Sequence, residues 1–284
     1  MALRPLVTAL MIGTAVLLPA QEPARAETAQ AGQVQALSDA LLIGDVMAVL
    51  RDEGMANAAE LSADFVTGNG SPAWDAAVSQ IYDTARMRRD FDAALAEALA
   101  GQPQAVAAAL AFFGTDPGAR ALRLEIDARR ALLDPEAETA AGFAWEDMVR
   151  QGLPRAKQIE RFAEVNDLLE SNVMGALNAN LAFFHGMAEA GGPLAEMSES
   201  DLLAMVWDSE AETRGSTAKW MFPFLALAYE PLSDAELDAY IAFSETPEGQ
   251  RVNAAIFAAF DRIFLQISRD LGRAAGREMV GQDI

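Results

Sequence analysis

From Val34 onward the apolar residues mostly return every three or four positions, and β-branched alternation is missing. That spacing puts them on one face of a helix and gives a strand no face to bury. Alanine and leucine dominate, and runs of β-branched residues are missing, so propensity agrees with pattern. The expected fold class is all-α: a helical bundle or array built from two tandem repeats, each containing a helix–turn–helix. With 52% hydrophobic residues the chain can bury a large core.

Breaker residues divide the chain. Val34, Leu37, Leu41 and Ala48 share a face of a first helix, with Gly44 inside it. Gly68 to Gly70 reads as a loop. Ser71 is an N-cap and Pro72 takes the first helical position, where a missing N–H costs nothing. That helix carries Trp74, Val78, Ile81 and Tyr82 inward and is expected to run to about Ala100, before Gly101. Pro103 opens a helix through Phe113, and a further helix follows Thr115–Gly118 and runs through Leu133, where Asp134-Pro135 breaks the chain. Arg155 to Glu189 reads as one long helix, and Ser200 to Glu212 as another. Ser216 to Tyr229 holds Pro223, where a kink or break is expected. Ser233 with Glu236 forms a capping box. Thr246 starts the last long helix, whose core face holds Val252, Ile256, Phe257, Phe260, Ile263, Phe264 and Ile267, and fraying is expected after Gly276.

The N-terminus is an address. Arg4 precedes an apolar run from Leu6 to Ala20, and Ala24-Arg25-Ala26 offers small residues where a signal peptidase reads. The run is about 15 residues, short of the ~20 that span a bilayer. Residues 1–26 are therefore read as a signal peptide and the rest as an exported, periplasmic protein with no transmembrane segment. Within it, 34–150 and 155–276 are read as the two helical repeats, and 277–284 as a frayed tail.

Charge and composition then remove function classes. Asp and Glu number 42 against 21 Lys and Arg, a net charge of −21. Nucleic-acid binding rests on cations that neutralise phosphates, so no nucleic-acid partner is expected. There is no cysteine and one histidine, which excludes disulfides, thiolate chemistry and multi-histidine metal sites. No metal, cofactor or catalytic residue is assigned.

Two segments resemble each other. Laid together, Leu110–Arg120 and Ile241–Arg251 share the Ala, Phe, Thr, Gly and Arg of Ala111/Ala242, Phe112/Phe243, Thr115/Thr246, Gly118/Gly249 and Arg120/Arg251. Shared Gly and Arg at a break point to duplication. In the second copy Thr246 caps a helix, Pro247 occupies its first position, Glu248 meets the helix dipole, and Gly249 suggests close backbone approach. The unit is a tight helix–turn–helix corner.

These residues carry a resemblance. Leu232-Ser233-Asp234-Ala235-Glu236-Leu237, then Ile241-Ala242-Phe243, then Thr246-Pro247-Glu248-Gly249-Gln250-Arg251, is similar to the hallmark of an exported bacterial family, the domain of unknown function numbered twenty fifty-nine. Ser244 departs from the aromatic residue usual there. The first half resembles the family over Phe112 to Arg120, with Gln102-Pro103 in place of the capping box. The resemblance implies an all-helical exported domain and implies no activity. Glu236, Phe243, Thr246, Pro247, Gly249 and Arg251 are assigned to this structural motif. Glu236 is read as the capping-box partner and Arg251 as a solvated first-turn residue.

His185, in Phe183-Phe184-His185-Gly186-Met187, lacks a nucleophile in an elbow context and reads as a boundary residue. Glu196, Glu199 and Asp201 lack the loop spacing of a calcium site. Around Pro223 the aromatic side chains of Trp220, Phe222, Phe224 and Tyr229 gather, and a break beside aromatics suggests an apolar cleft rimmed by carboxylates. The expected function is binding, of a partner protein or a small apolar ligand, without catalysis. The alternative is a carboxylate-dependent cell-envelope hydrolase.

Overall fold

The computed structural model describes residues 32–65, 71–191 and 194–282. The proposed signal peptide, the Gly68–Gly70 loop and residues 192–193 lie outside them. Among the described residues the fold is all-helical, with no strand.

The first four helices are α1 (Gly32–Ala40), α2 (Ile43–Phe65), α3 (Pro72–Ile81) and α4 (Thr84–Ala98). α5 (Pro103–Phe113), α6 (Gly118–Ala131) and α7 (Pro135–Arg150) complete the first half. α8 (Pro154–Val165), α9 (Leu168–Glu189), α10 (Glu199–Asp208), α11 (Glu210–Tyr229), α12 (Asp234–Ser244) and α13 (Pro247–Gln282) follow. No single described helix is long and apolar enough to cross a membrane. The pair α1–α2 passes that test together, but it is bent by 56°, and its Leu37, Met47, Val49 and Leu50 are buried in the protein.

α13, 36 residues long, is the spine. Its Val252, Ala255, Ala259, Ile263 and Ile267 fall three or four apart and are buried. α9 lies along it in parallel. A Cβ added at Gly186 would strike the Arg269 carbonyl, one at Gly272 the Phe183 carbonyl, and one at Gly276 the Met187 carbonyl. Residue numbers rise together on the two helices, which fixes the parallel sense. The missing side chains let the backbones touch. Past the contact, Arg269 and Arg273 of α13 clasp Glu189 at the end of α9. Parallel neighbours need a long return connection, which α10, α11 and α12 supply.

Several boundaries differ from the expectation: the first helix divides at Leu41-Leu42, where Leu42 adopts φ 56°, and the helix expected over Ser200 to Glu212 ends at Asp208. The helix from Ser71 stops at Ile81, because Asp83 caps α4 by accepting from the Arg86 N–H at 2.7 Å. Arg51 and Arg86 donate to the carbonyls of Tyr82 and Ile81 freed by the break. The stretch Arg155–Glu189 divides at Asn166-Asp167, where Asp167 adopts φ 51°. Asn and Asp tolerate this left-handed conformation, and Asn253 of α13 donates to the Asn166 carbonyl at 2.9 Å. α11 continues unbroken through Pro223. Pro223 is buried there with Met221, Leu225, Ala226 and Tyr229, so packing offsets the one helical hydrogen bond that proline removes. α13 also continues past Gly276 to Gln282, since Gly276 serves the contact with α9.

Both corners with the shared motif are helix–turn–helix joints. A Cβ on Gly118 would meet the Phe112 carbonyl, and one on Gly249 the Phe243 carbonyl. The two corners pack on each other through Phe112 and Phe243, stacked 4.3 Å apart and 2° from parallel. Their details differ. The first holds a cis Asp116–Pro117 peptide and no side-chain cap. In the second, Thr246 Oγ1 accepts from the Gly249 N–H at 2.9 Å and donates to the Phe243 carbonyl at 2.7 Å. The helices that leave the corners have 14 and 36 residues. One contiguous core draws Phe91, Val106 and Phe113 from the first half and Ile159, Leu237 and Ile241 from the second.

Candidate functional site

The stacked corners begin a chain of rings that leads inward. Phe113 meets Tyr240 edge-on at 5.8 Å, and Tyr240 meets Phe162 at 4.8 Å. Phe162 in turn meets Tyr229 edge-on at 5.1 Å. These rings wall one end of a partly open cavity of about 280 Å³ lined by α2, α5, α6, α8, α9, α11, α12 and α13. Its other end is walled by Trp220 and Phe224, stacked at 5.0 Å, with the Arg129 guanidinium 5.6 Å from the Trp220 ring centre. Val46, Leu122, Leu225 and Ile256 fill in the sides.

A few polar groups enter this apolar space. The foremost is Glu125 of α6. The Tyr229 hydroxyl donates to Glu125 Oε1 at 2.7 Å, and the Tyr240 hydroxyl also interacts with the carboxyl. Loss of water around it pushes the Glu125 pKa up to about 7, against the opposing pull of the two tyrosine hydrogen bonds. Burial, reinforced by the Glu125 charge, also drives both tyrosines well above their ordinary value. Glu125 is the one carboxylate among the described residues lining the cavity. Asn166, Asn172 and Asn253 add amides. Each spends an N–H on a backbone carbonyl, of Phe162, Leu168 and Asn166 respectively.

Of the four aromatics assigned to a cleft, Trp220, Phe224 and Tyr229 line the cavity. Phe222 does not. It points to the other side of α11 and stacks on Trp145 of α7 at 5.2 Å. A continuous helix sends residues 220 and 224 one way and 222 the other. Tyr229 is only 1% exposed, so it forms an inner wall of the cavity and not an open rim.

The motif residues form a clasp beside the cavity. Glu236 Oε2 accepts from the Ser233 N–H at 2.8 Å, completing the capping box with Ser233. Its other oxygen takes Arg120 Nη1 at 2.6 Å, and Arg120 Nη2 reaches the Pro231 carbonyl at 2.7 Å. The Ser233 backbone and hydroxyl, then Arg120, hold the Glu236 pKa at about 2. Glu236 thus pairs with the arginine of the first corner. Its counterpart Arg251 stays exposed, 3.8 Å from Glu248. Pro247 starts α13 and Gly249 packs on Phe243.

His185 Nε2 lies 2.9 Å from Glu199 Oε2 at the surface. It borders a shallow hollow between α9 and α13 whose described lining contains no Ser or Thr nucleophile. Asp201 is spent in a capping box with Ser198. Among the described residues no cluster of three or more His, Asp or Glu could hold a metal ion.

Sequence reasoning missed Glu125, Tyr240 and the three asparagines. One signal was present: Glu125 lies three or four positions from Ala121, Leu122 and Ala128 on α6, so a carboxylate interrupts the apolar stripe. The asparagines gave none, because only the tertiary fold brings α8, α9 and α13 to one space. No protein-family model, no curated protein and no solved structure matches this chain.

Proposed function

We propose that the protein is an exported binding module for a small, largely apolar ligand. The observation that supports this is the cavity of about 280 Å³, largely apolar with a few polar groups in its lining. That is the general make-up of small-molecule sites, near the lower end of their ~300–1,000 Å³ range. Of the two occupants open to the sequence, a partner protein and a small ligand, the concave and largely apolar lining favours the ligand. A carboxylate-dependent hydrolase is less well supported. Paired-carboxylate hydrolysis needs two acids flanking one bond, and Glu125 stands alone in the lining. The proposed place of action is the periplasm, and membership of the exported family numbered twenty fifty-nine belongs to the same proposal.

The test is a neutral fluorescent probe, N-phenyl-1-naphthylamine. Its emission should rise on mixing with the purified protein. Ile256→Trp fills the space from α13 and should weaken that binding at least about tenfold, the loss of ~1.4 kcal/mol of contact. Equal binding by the variant would place the probe elsewhere and reject the cavity as the site.

A further inference from the structure

At the tyrosine end of the cavity stands an acidic acceptor with no cation paired to it. Glu125 receives two tyrosine hydroxyls, whereas an ionised carboxylate has about four acceptor sites. No Lys or Arg nitrogen among the described residues forms an ion pair with it. The nearest candidate in sequence, Arg129, sits one turn along α6 and is engaged elsewhere. Its Nε and Nη2 hold both oxygens of Glu53 at 2.7 and 3.1 Å, and its guanidinium faces Trp220. Asn166, Asn172 and Asn253 each commit an N–H to the backbone. The other groups facing the carboxyl are Tyr229 of α11 and Tyr240 of α12, so no protein cation balances it.

A buried carboxylate is stable when a cation meets it and costly when none does. A glutamine could have satisfied two tyrosine donors without that charge. The opposite wall supplies the stacked rings of Trp220 and Phe224, with Arg129 already over the Trp220 ring, which is a surface for an apolar body. The field of a chain with net charge −21 also concentrates cations and repels anions.

Resting on the cavity as a ligand site, we infer that its occupant is an organic amine, a compact apolar body with one protonated amino group that pairs with Glu125. The ammonium contributes up to three donors to a carboxyl with acceptor sites to spare. The apolar body lies between the Trp220–Phe224 pair and the aliphatic sides. The volume is about twice the ~150 Å³ of a cavity that takes benzene, which suits a ring with a short alkyl chain.

The experiment compares two competitors with the same framework. The purified protein is loaded with N-phenyl-1-naphthylamine and titrated with 2-phenylethylamine or 2-phenylethanol near neutral pH. The amine should displace the probe at about ten- to a hundredfold lower concentration, the range of a charge-assisted hydrogen bond. Glu125→Gln should abolish that preference. A second reading avoids dependence on the variant's folding. In the wild type the preference should grow from about pH 5 to about pH 8 as Glu125 ionises. Equal displacement by amine and alcohol, or a preference that survives Glu125→Gln, overturns the amine inference while a bound probe leaves the ligand site standing. Failure of the probe to bind the wild type rejects both.

Discussion

Glu125 is where residue-scale chemistry and stability meet. Its folded pKa is raised from 4.5 to about 7, chiefly by burial, so the protonated form is the one the fold prefers. Its contribution is therefore fully present below about pH 4.5, is lost as pH rises through about 7, and is level above that. The shift corresponds to about 3 kcal/mol. Glu125→Gln keeps an acceptor for Tyr229 and carries no charge. Urea unfolding should show the variant gaining on the wild type by about that amount between about pH 4.5 and about pH 8. A difference that stays constant with pH would mean that the carboxyl is solvated. Glu189 and Glu236 act in the opposite direction. Arginines around Glu189, and the Ser233 cap with Arg120 around Glu236, hold both pKa values at about 2. Stability from these exposed groups is present above about pH 4.5 and is lost as pH falls toward 2.

Among the elements, the parallel pair α9–α13 decides most. Its closeness rests on glycines, which are poor helix formers at such positions. Gly272→Ala should destabilise the protein by about 1–3 kcal/mol, because the added methyl meets the Phe183 carbonyl. Gly142, inside α7, has open space around it. Gly142→Ala should therefore stabilise by about 0.5–1 kcal/mol through helix propensity alone. Thermal melts of the two variants test the packing, since the same substitution is expected to act with opposite sign. Gly249→Leu belongs with the first, as its side chain would strike Phe243 and Ser244 backbone atoms, and a loss of about 1–3 kcal/mol is expected. The element boundaries show which local signals prevail. Ser71, Ser233 and Thr246 cap where the sequence puts them, because a cap needs only its own turn. Pro223 does not break α11, because the helix is buried around it.

For the molecule as a whole, export is the outstanding expectation. Mass spectrometry of protein recovered from the cell envelope should show a chain beginning at Glu27, following Ala24-Arg25-Ala26. A chain beginning at Met1 would overturn the signal-peptide reading. Within the described residues the two halves share one core, and the cavity takes walls from both: Glu125 and Trp220 come from different halves. The corner clasp of Arg120 on Glu236 and the stacking of Phe112 on Phe243 hold those halves together beside the tyrosine end of the cavity. The motif most visible in the sequence is thus structural, and it supports a site built from residues that carry no motif.

The sequence by itself determined the helical class, most helix starts and the acidic, cysteine-free character of the chain. Each of these is a local matter of three- and four-residue spacing, of caps and of composition. It also pointed to Trp220, Phe222, Phe224 and Tyr229 as one aromatic group around an expected break at Pro223, of which Trp220, Phe224 and Tyr229 line the cavity. Tertiary structure alone decided that α9 and α13 run parallel, that Asn166-Asp167 divides a long helix, and that Phe222 faces Trp145. It alone brought Glu125 to Tyr229, 104 positions away. Such a pairing leaves no mark in local periodicity, because it depends on which helix faces come together once the apolar surface is buried.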